Sequence, residues 1–101
     1  MNDELKLTIL KRDLQMTTNA NDEYLKMLLR LSEAAIAREG IKIPEKEEGI
    51  EIGMAAVHYA AYLYRKRSGT DTSMPRYLRY ELNNILFSQK AGKEVEGNDT
   101  G

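Results

Sequence analysis

The sequence predicts a small all-α domain of four helices, with a central buried third helix and a flexible C-terminal tail. Apolar residues recur at helical spacing in four segments, and glycine and proline cluster between those segments. The third segment is apolar on every side, which is typical of a buried helix. Because 101 residues suffice for one core but not two, we expect a single domain over residues 1–91 and a disordered tail over residues 92–101.

The first helix is predicted over residues 2–15, where leucines recur on one helical face. Leu5, Leu7 and Ile9 also alternate as they would in a strand. We favour a helix because the charged stretch that follows continues the element without β-branched residues.

Asn21 is the predicted N-cap of the second helix, and Gly40 its terminator. Acidic Asp22 and Glu23 suit the positive end of the helix dipole, and Asp22 is spaced to pair with Lys26. The remainder is amphipathic, and its predicted buried arc comprises Leu25, Leu28, Leu29, Ser32, Ala35 and Ile36.

The third helix is predicted to begin within residues 45–51, to end near Arg67 and to be stopped by Gly69. Apolar side chains cover almost its whole circumference, so we place it at the centre of the domain. Its alanines and Gly53 leave room for neighbouring helices to approach closely.

Ser73 is the predicted N-cap of the fourth helix, with Pro75 in the first turn, where a missing N–H is tolerated. The helix is expected to end near Gly92, and the polar, glycine-rich sequence after it predicts disorder in the unbound protein. Its predicted core stripe is Met74, Leu78, Leu82, Ile85 and Leu86.

The opposite face of the fourth helix interleaves aromatic rings with cations, a composition typical of protein interfaces. Alternatively, Tyr80 and Phe87 pack under the first helix of the same chain. Stacking on nucleic-acid bases is a weaker third interpretation. The predicted partner-binding residues on this face are Arg76, Arg79, Tyr80, Asn83, Phe87 and Lys90.

Charge is unevenly distributed, although the net charge is only −1. Residues 39–51 hold five acidic and two basic side chains, and residues 57–90 hold six basic and two acidic ones. This segregation permits charge-matched contacts between copies, although the basic run can equally be a solvated helix end. The candidate subunit-interface residues are Glu45, Glu47, Glu48, Arg65, Lys66 and Arg67.

No combination of residues predicts catalysis or cofactor binding. His58 is the single histidine, lies on an apolar face and has no partner at metal-ligand spacing, so we expect a core histidine. The acidic run lacks the pattern of a calcium loop, and there is no cysteine. We therefore expect a non-enzyme without metal or cofactor. The residues after Met1, NDELK, are neither a basic nor an apolar signal region, so we expect no secretory signal, and the apolar stretch 53–64 is too short to span a bilayer.

Two parts of the chain resemble the small phage head–tail connector family, also called head-completion or DNA-packaging adaptor proteins. The first is LKRDLQMTTNANDEYLKMLLRLSEAAIAREGI, a short helix, a polar loop and an acidic start to a Leu- and Ala-rich helix. The second, more specific part is AAYLYRKR followed by MPRYLRYELNNILFSQK. The similarity runs from Leu10 to about Lys90.

The resemblance implies a non-enzymatic, all-helical virion subunit, present in the bacterial cytoplasm before assembly. Such subunits form a homo-oligomeric ring on the portal protein after DNA packaging and connect it to a downstream stopper or tail-completion protein. DNA passes through the channel without sequence-specific binding, and no membrane is involved. The outer face of the fourth helix and the tail from Gly92 would then contact the portal.

Two other classes of function stay open. A small DNA-binding regulator would use the helix over residues 74–91 for recognition, although its preceding turn is long for a helix-turn-helix. An enzyme or metal protein is the second alternative, disfavoured by the absence of paired ligands.

Overall fold

A computed structural model of the chain contains four α-helices. It describes residues 1–44, 49–69 and 73–100, with side chains described as far as Gly92. The helices are α1 (Asp3–Asp13), α2 (Asp22–Arg38), α3 (Ile50–Arg67) and α4 (Arg76–Thr100), and no strand occurs in these ranges. The all-α prediction is therefore confirmed, and the strand interpretation of the first segment is wrong.

Helix α3 lies at the centre and contacts each of the other three helices. On one side, Val57, Ala60 and Ala61 pack against leucines of α1 and α2. On the other side, Ala55 and Tyr62 pack against α4 and the connector after α2. Because short side chains bring the helix backbones close together, a single central helix supports two separate core clusters.

Several helix ends follow the local chemistry of the sequence, although the predicted N-cap of α2, Asn21, makes no side-chain capping hydrogen bond. The Asn2 side chain caps α1 by accepting from Leu5 N–H at 2.8 Å. Gly40 and Gly69 adopt the predicted left-handed conformation after α2 and α3, with φ of +98° and +84°. After α1 a non-glycine residue, Gln15, adopts the left-handed conformation, with φ of +58°.

Two local predictions about α2 and α4 are wrong. Asp22 pairs with Lys11 of α1 at 3.0 Å, while Lys26 bonds Glu23 at 3.3 Å. Helix α4 begins after Pro75, whose carbonyl accepts from the N–H of the fourth residue on at 3.2 Å, so Ser73 lies two residues too early to be its N-cap. A residue preceding proline is disfavoured in the helical region, which delays the start of the helix.

The helical backbone of α4 continues past Gly92, where the sequence predicted an end. The side chains of α4 described in the core end at Ile85 and Leu86. The predicted end near Gly92 is therefore wrong for the backbone, which is helical to Thr100. The prediction of a flexible C-terminal tail is kept, because a polar, glycine-rich sequence favours neither a core nor a persistent helix.

Candidate functional site

The core face of α4 fixes the helix on the domain. Leu78, Leu82 and Ile85 are buried, and they pack with Ile41 of the connector after α2. Met74 and Leu86 pack at the edges of the same cluster. The predicted core stripe of the fourth helix is therefore confirmed, and the face opposite it points away from the domain.

An ion pair fixes one flank of this core stripe. Arg79 donates from Nη1 to Glu39 Oε1 at 2.6 Å and from Nη2 to Glu39 Oε2 at 2.9 Å. This two-bond geometry is the strongest form of the arginine–carboxylate contact. The hydrogen bond from Arg79 lowers the pKa of the Glu39 carboxyl, against an opposing effect of burial. Burial, with a further contribution from the Glu39 charge, raises the pKa of the nearby Tyr59 hydroxyl.

A second polar contact fixes the other flank. His58 Nδ1 of α3 lies 2.9 Å and 3.2 Å from the two carboxylate oxygens of Glu81. The Tyr77 ring meets the His58 ring edge to face, with centroids 5.6 Å apart. His58 is therefore half-buried at the contact between α3 and α4, and the prediction of a core histidine is corrected in this respect. Glu81 is 23 residues away in sequence, so helical spacing alone gives no sign of the pair.

A third contact ties α4 to the connector after α2. The Gln89 side chain accepts from Lys42 N–H at 2.8 Å and donates to the Lys42 carbonyl at 2.9 Å. One amide side chain thus satisfies both polar groups of a backbone unit, as a neighbouring strand would. This contact limits rotation of the second half of α4 relative to the connector.

The outer face of α4 exposes aromatic rings. Tyr80 is 64% exposed and Phe87 67% exposed, and Tyr77 on the adjacent edge is 51% exposed. The interpretation in which Tyr80 and Phe87 pack under the first helix is therefore wrong. Single exposed apolar residues are common on protein surfaces, but several rings on one helix face form a patch of the kind found in interfaces.

The remaining predicted residues of this face divide into two groups. Arg76 and Lys90 are exposed beside the rings, and Asn83 is half-buried. Arg79 is also half-buried, and its guanidinium is engaged by Glu39. The role of these residues in binding a partner stays a prediction, and Arg79 additionally has a structural role that the sequence did not reveal.

The basic end of α3 contacts its own chain more than the sequence suggested. Arg65 Nη2 lies 3.3 Å from the Asp13 carbonyl and 3.4 Å from its carboxylate, at the end of α1. Lys66 lies over the Tyr62 ring at 5.9 Å. Arg67 lies over the Tyr24 ring at 5.8 Å. The acidic residues expected to complement this run, Glu45, Glu47 and Glu48, lie outside the described residues, so an interface formed by these charges stays a prediction.

A buried lysine between α1 and α2 is another feature that the sequence reading missed. Lys6 is 2% exposed, and its Nζ lies 2.6 Å from Glu33 of α2 and 3.2 Å from Asp3. Lysine is almost never fully buried unless it is paired. The sequence contains one indication of this burial, because Lys6 lies four residues before the buried Leu10 and therefore on the same helix face.

The described part of the chain contains neither a metal-binding group nor a membrane-spanning helix. No group of three or more histidine, cysteine, aspartate or glutamate side chains within it could hold a metal ion. Nor is any helix there both long and apolar enough to cross a bilayer. Comparison of the chain with protein-family models, curated proteins and solved structures found no match.

Proposed function

We propose that this chain is a structural subunit of a phage head–tail connector, which assembles as a ring on the portal vertex and links the head to the tail. Its partners are further copies of itself, the portal protein and a downstream stopper or tail-completion protein. The subunit is not an enzyme in this proposal, and it acts in the virion after synthesis in the bacterial cytoplasm. The stretch of the sequence most similar to the connector family forms the end of α3 and the start and middle of α4.

The exposed pair of rings on α4 is the observation that carries this proposal. Tyr80 and Phe87 are each about two-thirds exposed. Covering two rings of about 150–250 Å² each would remove on the order of 250 Å² from water, or about 6 kcal/mol before the entropic cost of association. A gain of this size suits a protein–protein contact, and two exposed cations, Arg76 and Lys90, lie beside the rings.

A role in DNA recognition has less support. Arg79, the central cation of the face, is engaged by Glu39, which leaves Arg76 and Lys90 as the exposed cations among the described side chains of α4. Specific DNA binding draws much of its affinity from phosphate contacts, commonly six to ten of them. DNA therefore passes through the channel of the proposed ring without sequence-specific contacts to this helix.

A pull-down with the cognate portal protein tests the proposal. The double variant Tyr80→Gln/Phe87→Gln should lose portal binding and keep its helical circular dichroism, because both side chains are largely exposed in the free subunit. The matched control is Leu5→Gln/Ile50→Gln, which removes two side chains that are 47% and 73% exposed outside α4. Portal binding that survives the α4 change would contradict the proposal.

A gel shift at moderate salt tests the alternative function, a small DNA-binding regulator. The connector proposal expects only weak, salt-sensitive and sequence-independent binding to duplex DNA. Sequence-specific binding below micromolar concentration would favour the regulator instead. The same Tyr80 and Phe87 variant serves in both assays, so one protein preparation separates the two functions.

A further inference from the structure

Helix α2 carries a second exposed apolar surface that the proposed function has not used. Met27 and Leu31 are 46% and 45% exposed, and Ala34, one turn further on, is also exposed. We call these three residues the α2 strip. They lie away from the buried face of α2, which packs on α1 and α3 through residues such as Leu28 and Ile36. Nothing in the described part of the chain buries the strip.

The α2 strip and the outer face of α4 have the same spacing. Met27, Leu31 and Ala34 are separated by four and then three residues. On α4, Tyr80, Asn84 and Phe87 are also separated by four and then three, and all three are exposed. A repeat that averages 3.5 residues produces a seam running along the helix, which is the pattern of two helices packed side by side.

The two surfaces are also complementary in size. The α4 face presents large rings, whereas the α2 strip presents flexible Met27 and small Ala34, which can accommodate a ring. The α4 face is flanked by cations at both ends, Arg76 and Lys90. One turn before Met27 lies Glu23, whose side chain is 92% exposed. Glu23 is paired with Lys26 of its own helix at 3.3 Å, and the exposed Arg38 lies one turn after Ala34 at the other end of the strip, so charge does not select this pairing.

The two surfaces of one chain cannot meet each other. Helix α2 and α1 share one core cluster with α3, and α4 packs on α3 through a different set of residues. Both surfaces face away from α3, so contact between them requires two molecules. A contact that joins two different surfaces is heterologous, and its repetition produces a ring when the rotation closes and a filament when it does not.

We propose that the α2 strip of one copy packs against the outer face of α4 of the next copy. This pairing rests on the proposed function and deepens it, since the α4 rings contact the next copy and the portal is bound by the ring that this contact builds. The Tyr80→Gln/Phe87→Gln variant would then lose the portal through loss of the ring. The pairing places apolar packing rather than charge at the centre of the subunit contact. Glu39 and Arg65, two charged residues of the acidic and basic segments, already have partners within the chain. This is consistent with a subunit contact that depends mainly on apolar packing.

Cross-linking through introduced cysteines tests the pairing, because the natural chain contains none. The double variant Ala34→Cys/Asn84→Cys retains every large apolar side chain of both surfaces. It is treated with a short bismaleimide, alone at high concentration and bound to the cognate portal, and then separated on a denaturing gel. The pairing predicts a ladder of trimers and larger species, because each copy links to two neighbours through different cysteines.

Matched variants make the test specific. Thr8→Cys/Asn84→Cys moves one cysteine to an exposed position on α1 and should give roughly tenfold less trimer. Adding Leu31→Glu to the original pair should abolish the ladder. Adding Leu5→Glu, at a site of nearly equal exposure, should leave it unchanged.

Each outcome decides the pairing. Efficient dimers from Ala34→Cys alone or Asn84→Cys alone, without a ladder from the double variant, would indicate like surfaces in contact and overturn it. A missing ladder in protein that still binds the portal would overturn the pairing and leave the connector function standing. A ladder in protein that fails to bind the portal would support the pairing and count against the connector function.

Discussion

The ion pair between Glu39 and Arg79 makes a quantitative prediction about how α4 is held. Arg79→Met removes two hydrogen bonds of 2.6 Å and 2.9 Å, and Glu39→Gln removes the negative charge and one of the two acceptors. The side chains are 41% and 25% exposed, so the pair lies between fully solvated pairs of about 0.2–1 kcal/mol and hydrogen-bonded charges of about 1.5–3 kcal/mol. We expect a coupling energy of about 1–1.5 kcal/mol.

The coupling should depend on pH in a defined direction. The contact with Arg79 lowers the pKa of the folded-state Glu39 carboxyl from its ordinary value of 4.5. A group whose pKa is lowered on folding contributes its full stability above the unfolded pKa, and that stability is lost as the pH falls through the folded pKa. The coupling should therefore be complete at pH 7 and decline below about pH 4.5.

A double-mutant cycle in urea measures this energy. The two single variants, the double variant and the parent are unfolded at pH 7 and at pH 3, and the interaction energy is taken from the four unfolding free energies. The cycle Glu23→Gln with Lys26→Met serves as a control, since that pair is 92% and 50% exposed and should couple by at most about 0.5 kcal/mol. A coupling for Glu39 and Arg79 no larger than the control, or one unchanged at pH 3, would refute the reasoning.

Two further substitutions have expected outcomes. A Cβ at Gly53 would lie 2.6 Å from Met1 Sδ, whereas one at Gly92 would meet nothing within 4 Å. Gly53→Ala should therefore change the unfolding free energy by less than about 0.5 kcal/mol, because displacing Met1 offsets a helix-propensity gain of about 1 kcal/mol. Gly92→Ala has no such clash and should visibly raise helicity by circular dichroism. An equal rise in helicity for Gly53→Ala and Gly92→Ala would contradict the crowding at Gly53. Gln89→Ala should cost about 1 kcal/mol and speed amide exchange at Lys42 roughly tenfold, since it removes both bonds to that backbone unit, and unchanged exchange would contradict the contact.

The sequence predicts the layout of the fold because that layout follows from local patterns. A helix that is apolar on every side can be stable only at the centre, and α3 is found there. Gly40 and Gly69 end their helices as predicted, because the left-handed conformation favours glycine. The start of α4 was placed too early because Ser73 is a good N-cap by composition, while the restriction that Pro75 imposes on the residue before it delays the helix.

The outer face of α4 was also predictable from periodicity, but the contacts that hold the helix were not. Tyr80 and Phe87 fall opposite the core stripe on any helical wheel, and both are exposed. By contrast, Glu39 with Arg79 and His58 with Glu81 join residues 40 and 23 positions apart. Such pairs depend on how the helices cross, which a one-dimensional pattern does not contain.

These long-range pairs explain why the exposure of the rings is a property of the fold rather than of loose packing. Glu39 binds α4 on one flank of its core stripe, and His58 binds it on the other. A rotation of α4 that buried Tyr80 would pull Arg79 or Glu81 away from its partner and leave a charged group with fewer hydrogen bonds, which is costly even when partly exposed. The two polar contacts therefore fix the rotation at which the core leucines face inward and the rings face solvent. A surface held in place in this way is preorganised for a partner, because little further ordering has to accompany binding.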